Sequence, residues 1–183
     1  VVSRVLPALN SCASSFNSFI ASLPFVESIV NTHNQSKLSK DQIISQAFKF
    51  QSQGNISKAA EYYQYFIDQG FVDHRVYSNY GVVLKNLGKI KEAEKSYRNA
   101  IHLNPDYADA YYNLGNILRD VGKLHEAEVS TRKAIELYPD FAEAYSNLGN
   151  ILRDVGKLQE AEESYQKAIH LNPLNKDFQN NFI

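Results

Sequence analysis

A chain of 183 residues with a net charge of −1 has room for one array of repeats plus a short extra segment, and it lacks the basic stripe of a general nucleic-acid binder. Its single cysteine, Cys12, excludes an intrachain disulfide and a cysteine-built metal cluster, which fits a reducing, cytoplasmic setting. No uninterrupted run of about 18 apolar residues exists, so no membrane span is expected.

The chain opens on Val1 rather than Met, which reads as a processed product or a fragment. Val1 to Asn34 is Ser-rich and carries only Arg4 and Glu27 as charges. Phe16, Phe19, Ile20 and Leu23 follow helical spacing, as do Phe25, Val26, Ile29 and Val30, with Pro24 between the two sets. Three readings stand for this segment: a helix or helix pair capping the first repeat, a remnant of a neighbouring domain, or a targeting segment poor in Arg. Thr32 to Leu38 is polar and reads as a linker, so residues 1–39 form an N-terminal helical, capping or linker segment.

From Lys40 the sequence repeats with a period of 34 residues, in units 40–73, 74–107, 108–141 and 142–175. The last two units are identical at about 24 of 34 positions, and Leu114 to Leu124 recurs unchanged from Leu148 to Leu158. The second unit keeps Tyr77, Asn79, Gly81, Leu84, Gly88, Ala93, Tyr97, Ala100 and Pro105 in register. The first keeps Gly54, Ala59 and Tyr63 but has Phe66 and Phe71 where later units carry Ala and Pro, the degeneracy expected of a terminal repeat. A period of this size signals a stacked array, because one unit cannot bury its apolar face alone.

Each unit reads as two helices. In the third, the first runs over about Asp109–Val121, Gly122 supplies a left-handed turn, and the second runs over about Leu124–Leu137 until Pro139 closes it. Tyr111, Leu114 and Leu118 share one face, while Gly115, Ala127 and Ala134 let the two axes approach closely. Thr131 departs from Tyr97 and Tyr165 at its slot, which affects local packing only. Ser39 with Gln42 forms a capping box, Ser57 is the expected cap of the next helix, and Asp106 and Asp140 place carboxylates before first helices. Lys176 to Ile183 falls where a fifth unit begins, with Phe178 and Phe182 apolar and Asn181 in the slot of Asn147. It reads as a truncated helix, and an open end there favours self-association.

This pattern of an aromatic, Leu-Gly, Ala, an aromatic, Ala and a closing Pro resembles the tetratricopeptide repeat (TPR) family. The resemblance covers Lys40 to Asn175 and implies an all-α, right-handed superhelical solenoid of antiparallel helix pairs. The motif from Ala142 to Asn150 is also similar to the repeats of O-GlcNAc transferase.

No catalytic constellation accompanies the repeats. His33, His74, His102, His125 and His170 show no metal-ligand spacing, and the carboxylates Glu126, Glu128, Glu160, Glu162 and Glu163 read as solvated faces. The Gly of Leu-Gly-Asn at Leu114 and Leu148 lies inside a helix and is a packing device rather than part of a phosphate loop. No cofactor or metal is therefore expected. Asn34-Gln-Ser36 and Asn55-Ile-Ser57 match a glycosylation triplet, which has no meaning in the cytosol.

What remains is a surface. First helices line the concave side of such an array. Asn79, Asn113 and Asn147 recur one period apart and should form a row of amides able to satisfy an extended peptide backbone. Asn116 and Asn150 repeat beside them, and Lys85, Arg119 and Arg153 share a slot that would add charge selection. Asp109 and Glu143 stand where a basic clamp for a terminal carboxylate would need cations, which disfavours acidic chaperone C-termini. The expected function is a non-enzymatic module that binds an extended peptide or a partner helix in its concave groove. The alternative is the N-terminal, substrate-presenting region of a larger, glycosyltransferase-like transferase.

Overall fold

The computed structural model describes residues 38–181. The expectations for Val1 to Asn34, for Cys12 and for Phe182 lie outside the described residues. Nine helices succeed one another within them: α1 (Lys40–Ser52), α2 (Ile56–Asp68), α3 (His74–Asn86), α4 (Ile90–Leu103), α5 (Ala108–Asp120), α6 (Leu124–Leu137), α7 (Ala142–Asp154), α8 (Leu158–Leu171) and α9 (Lys176–Asn181). They pair as α1/α2, α3/α4, α5/α6 and α7/α8, and each second helix packs on the first helix of the next unit. The result is a solenoid of helix pairs.

The turn inside each pair is set by a glycine in the left-handed region. Gly54, Gly88, Gly122 and Gly156 have φ of 74°, 73°, 77° and 81°, values that a residue with a Cβ adopts only with strain. The caps differ from expectation at the second helix. Asn55, not Ser57, caps α2 by accepting from the Lys58 N–H at 3.3 Å. Asn55 directly follows the glycine turn and can reach back over the first turn, whereas Ser57 already lies inside the helix. Asp73 is a further cap outside the expected set, and it serves α3 by accepting from the Arg75 N–H at 3.0 Å. Tyr107 and Phe141 precede α5 and α7 and give no side-chain cap, so Asp106 and Asp140 act at most through the helix dipole.

The close approach within a pair is made by a glycine lying under the paired helix. A Cβ added at Gly81 would stand 2.5 Å from the Tyr97 ring, and one at Gly149 would stand 2.5 Å from the Tyr165 ring. At Gly115 the facing atom is Thr131 Oγ1, at 2.3 Å. Around these contacts Leu84, Ala93, Tyr97, Leu114, Ile117, Leu118, Ala127 and Ile151 form one buried cluster through units two to four. Val83, Ile117 and Ile151, one period apart, are fully buried core residues. At the end of the array Phe178 of α9 packs on Ala142 and Ala168.

First helices of successive units touch one another, α3 with α5, α5 with α7 and α7 with α9, while the second helices make no comparable contact. The first helices therefore line the inner face. On the outer face the second helices are linked by charge. Glu94 accepts from Arg98 at 2.8 Å and from Lys123 at 3.2 Å, and Arg98 also reaches Glu126 at 3.0 Å. One period on, Glu128 accepts from Arg132 at 2.9 Å and Lys157 at 3.1 Å, and Arg132 reaches Glu160 at 2.9 Å.

Gly81→Ala and Gly149→Ala should each cost about 1–3 kcal/mol in urea unfolding, because the new methyl displaces a packed ring, whereas Gly→Ala in an open helix stabilises. Acid should also weaken the fold. The hydrogen bond from Arg98, with that from Lys123, holds the Glu94 carboxyl below its ordinary range despite desolvation. Burial pushes the Glu128 carboxyl up, but Arg132 and Lys157 outweigh it and the net direction is down. A depressed folded pKa contributes stability above the unfolded value of about 4.3 and loses it as pH falls through the folded value. Melting temperature by circular dichroism should thus hold from neutral pH to about pH 5 and then fall, with a shallower fall in Glu94→Gln/Glu128→Gln.

Candidate peptide-binding groove

The inner face carries the predicted polar residues on α3, α5 and α7, in unequal states. Asn79 is half-buried and lines a shallow cleft of about 280 Å³ with Phe48, Gln51 and Ser52 of α1. Asn113 is half-buried on α5. Asn147 is only 5% exposed, and its Nδ2 donates to Thr131 Oγ1 at 3.3 Å. The row of three equivalent amides is thus broken at its last member, which is engaged inside the fold.

The cause is the Thr131 slot. In unit four the Tyr165 hydroxyl donates to Asn150 Oδ1 at 2.9 Å, and Arg153 Nη2 donates to the same oxygen at 3.2 Å. In unit three Thr131 is too short to reach the equivalent Asn116. Asn116 is half-buried and has no side-chain partner among the described residues. Thr131 instead turns its hydroxyl to Asn147. One substitution thus frees an amide in one slot and ties up an amide in another.

Asn116 lies in a groove of about 250 Å³ on the inner face. Tyr112 and Arg119 of α5, Asn147 and Asn150 of α7, and Phe178 of α9 also line it, with Glu143 at the same opening. The shared basic slot is internally matched. Lys85 pairs with Asp120 at 3.0 Å, and Arg119 pairs with Asp154 at 2.7 Å. Each pair joins successive first helices and neutralises the cation that was expected to select charge. Arg153 has the Asn150 oxygen as its partner and is exposed. The Asp120 and Asp154 partners sit one residue beyond the next repeat's copy of the basic slot, a register legible in the sequence once first helices are known to touch.

Among the described residues no three His, Cys, Asp or Glu side chains gather as a metal site, and no described helix is long and apolar enough to cross a membrane. The groove offers amide donors and acceptors and one apolar wall; Arg119 is matched by Asp154, while Glu143 and Asp177 line it with no ion pair among the described residues.

A profile of the tetratricopeptide repeat matches residues 108–141 and 142–175, and a second TPR profile matches residues 81–122. Together they cover residues 81–175, more than half of the chain. This chain belongs to the tetratricopeptide repeat family. No curated protein matches it in sequence. Among solved structures the TPR solenoid is similar to MamA (residues 41 to the end) from Desulfovibrio magneticus RS-1, at 21% identity over 78% of this chain and 81% of that one, with a TM-score of 0.71. It is similar to YrrB, described as a TPR protein with an unusual peptide-binding site, at 20% identity over 93% and 86%, with a TM-score of 0.71. The first TPR of Spaghetti (RPAP3), solved with the HSP90 peptide SRMEEVD, matches at 25% identity over 60% and 86%, with a TM-score of 0.58. These comparisons show the TPR repeats and the TPR fold. They do not extend the likeness to O-GlcNAc transferase repeats, nor do they support the transferase alternative.

Asn147 is best read as part of the fold. Asn147→Ala should lower stability by about 1–2 kcal/mol, because it removes a buried hydrogen bond. Asn113→Ala should leave the urea midpoint unchanged.

Proposed function

We propose that this chain is a non-catalytic module that holds an extended peptide segment of a protein partner along its first-helix face, centred on the α5–α7–α9 groove. The observation that carries the reading is the half-buried Asn116 amide, left without a side-chain partner beside Asn150. A primary amide offers an acceptor and two donors, which is what a peptide N–H and C=O require. The Asn150 carbonyl is already engaged, so its contribution is the NH₂ group. Asn79 and Asn113 extend the same face toward the first unit.

Charge plays a smaller part than the number of ionic groups on this face suggests. With Lys85 and Arg119 neutralised, Arg153 is the one member of the shared basic slot without an ion pair among the described residues. The groove itself is lined by two carboxylates, Glu143 and Asp177, with no ion pair among the described residues. The ligand favoured here is an extended, non-acidic segment gripped by its backbone, with an apolar side chain against Tyr112 and Phe178. The HSP90 peptide bound by the Spaghetti domain is acidic, and Glu143 and Asp109 weigh against a ligand of that kind here.

The test is a displayed library of 12-residue peptides selected on the protein and then read by fluorescence polarisation. Asn116→Ala should weaken the selected peptides about 5- to 10-fold, the size of one or two net hydrogen bonds. Methylation of one or two central backbone nitrogens should have a similar effect. Full affinity in a folded Asn79, Asn113, Asn116→Ala protein would sink the reading, as would selected peptides that contact only second helices.

A further inference from the structure

The outer face is built differently at its first joint. Between α4 and α6, and again between α6 and α8, the same four side chains close the seam: Glu94, Arg98, Lys123 and Glu126, then Glu128, Arg132, Lys157 and Glu160. Between α2 and α4 only half of this set exists. Lys89 and Glu92 stand one period before Lys123 and Glu126, but Ala60 replaces the Glu and Gln64 replaces the Arg. Lys89 is exposed, and its ammonium has no hydrogen bond or ion pair among the described residues. The Glu92 carboxylate likewise has none.

The missing side chains leave space. Two adjoining clefts of about 370 and 630 Å³ open along the seam and share Gln64, Tyr80 and Lys89. Ile67 and Leu84 supply an apolar floor in the smaller cleft, beside Glu92. Ala60 and Leu87 lie in the larger with Glu61 and Asp68, and Lys95 lines the smaller. Tyr80 occupies the slot of Leu114 and Leu148, and its hydroxyl donates to Gln64 Oε1 at 2.9 Å. Gln64 Nε2 is turned away to Asp68, at 2.8 Å. Gln64 therefore cannot serve Glu92 as Arg98 and Arg132 serve Glu126 and Glu160.

We propose that the α2–α4 seam is a second docking face, which takes a helix of a partner protein bearing an acid and, four residues on, a base. The acid pairs with Lys89 and the base with Glu92, completing from outside the set that the other two seams complete from within. An apolar residue on the same partner face covers Ile67, Tyr80 and Leu84. Complementarity to the two unpaired charges, Lys89 and Glu92, in the pattern of the two complete seams, favours this occupant. The two side chains lacking from the seam, Glu and Arg at i and i+4, are those of Glu94 and Arg98 and of Glu128 and Arg132, and i,i+4 spacing puts both on one helix face. The face is separate from the inner groove, so either can fail without the other.

The experiment is a display selection on the full chain, using a helical peptide library randomised at two positions four residues apart. Acid followed by Arg or Lys should be enriched at least 10-fold. Selected peptides should lose at least 10-fold in affinity against Ala60→Glu/Gln64→Arg, which fills the seam and should melt no lower than the parent. In Lys89→Glu/Glu92→Lys the preferred order should invert, to base followed by acid. Asn116→Ala should bind the selected peptides as the parent does. Unpatterned enrichment, equal binding to Ala60→Glu/Gln64→Arg, or no inversion in the charge-swapped protein overturns the proposal. So does dimerisation abolished by Ala60→Glu/Gln64→Arg without peptide enrichment, which assigns the seam to a second copy of the chain.

Discussion

The structure depends on one contact made in each of the last three units: a glycine of the first helix lying directly against a side chain of the second. Gly81 faces Tyr97, Gly149 faces Tyr165 and Gly115 faces Thr131. A methyl at any of these points would meet an atom at 2.5 Å or closer, so the spacing of the two axes follows from the missing Cβ. That spacing sets where the next unit can stack. It also keeps the first helices close enough to touch across units, and so creates an inner face. The first unit reaches the same pairing differently. Ala47 stands in the glycine slot and Tyr63 in the tyrosine slot, both fully buried, and Phe66 packs against Phe71 with ring centroids 5.5 Å apart where later units use Ala and Pro.

Stacking then gives the charges their meaning. A residue repeated every 34 positions meets its neighbour's copy at a constant offset, so one favourable pair becomes a ladder. Lys85–Asp120 and Arg119–Asp154 form such a ladder on the inner face, and the Glu94 and Glu128 clusters form one outside. Individually exposed pairs contribute little. Their larger effect is on recognition. Where the ladder is complete the surface is self-satisfied and offers a partner few unmet charges. Where it is incomplete, at Lys89, Glu92 and Arg153, the surface can discriminate.

Thr131 shows the same logic with neutral groups. Tyr165 commits its hydroxyl to Asn150. The shorter Thr131 leaves Asn116 unserved and draws Asn147 into the fold instead. Two residues that look equivalent in the repeat, Asn113 and Asn147, thus differ in availability through a change on another helix. The repeat invites the assumption that identical slots do identical work, and the departure from it here marks the candidate site.

Spacing along the chain was enough to establish the period, the helix pairs, the glycine turns and the family. None of these requires knowledge of what lies opposite a given side chain. The same spacing placed the asparagines and the basic slot on the first helices. It did not reveal that Asn55 rather than Ser57 caps α2, that Asn147 is buried, or that Lys85 and Arg119 are neutralised one unit on. Those outcomes rest on which side chains the stacking brings within hydrogen-bond reach. They came from the folded array, because reach across a helix interface is set by distances of a few ångströms, and the regular offset from Lys85 to Asp120 and from Arg119 to Asp154 gains its meaning only once first helices are known to touch.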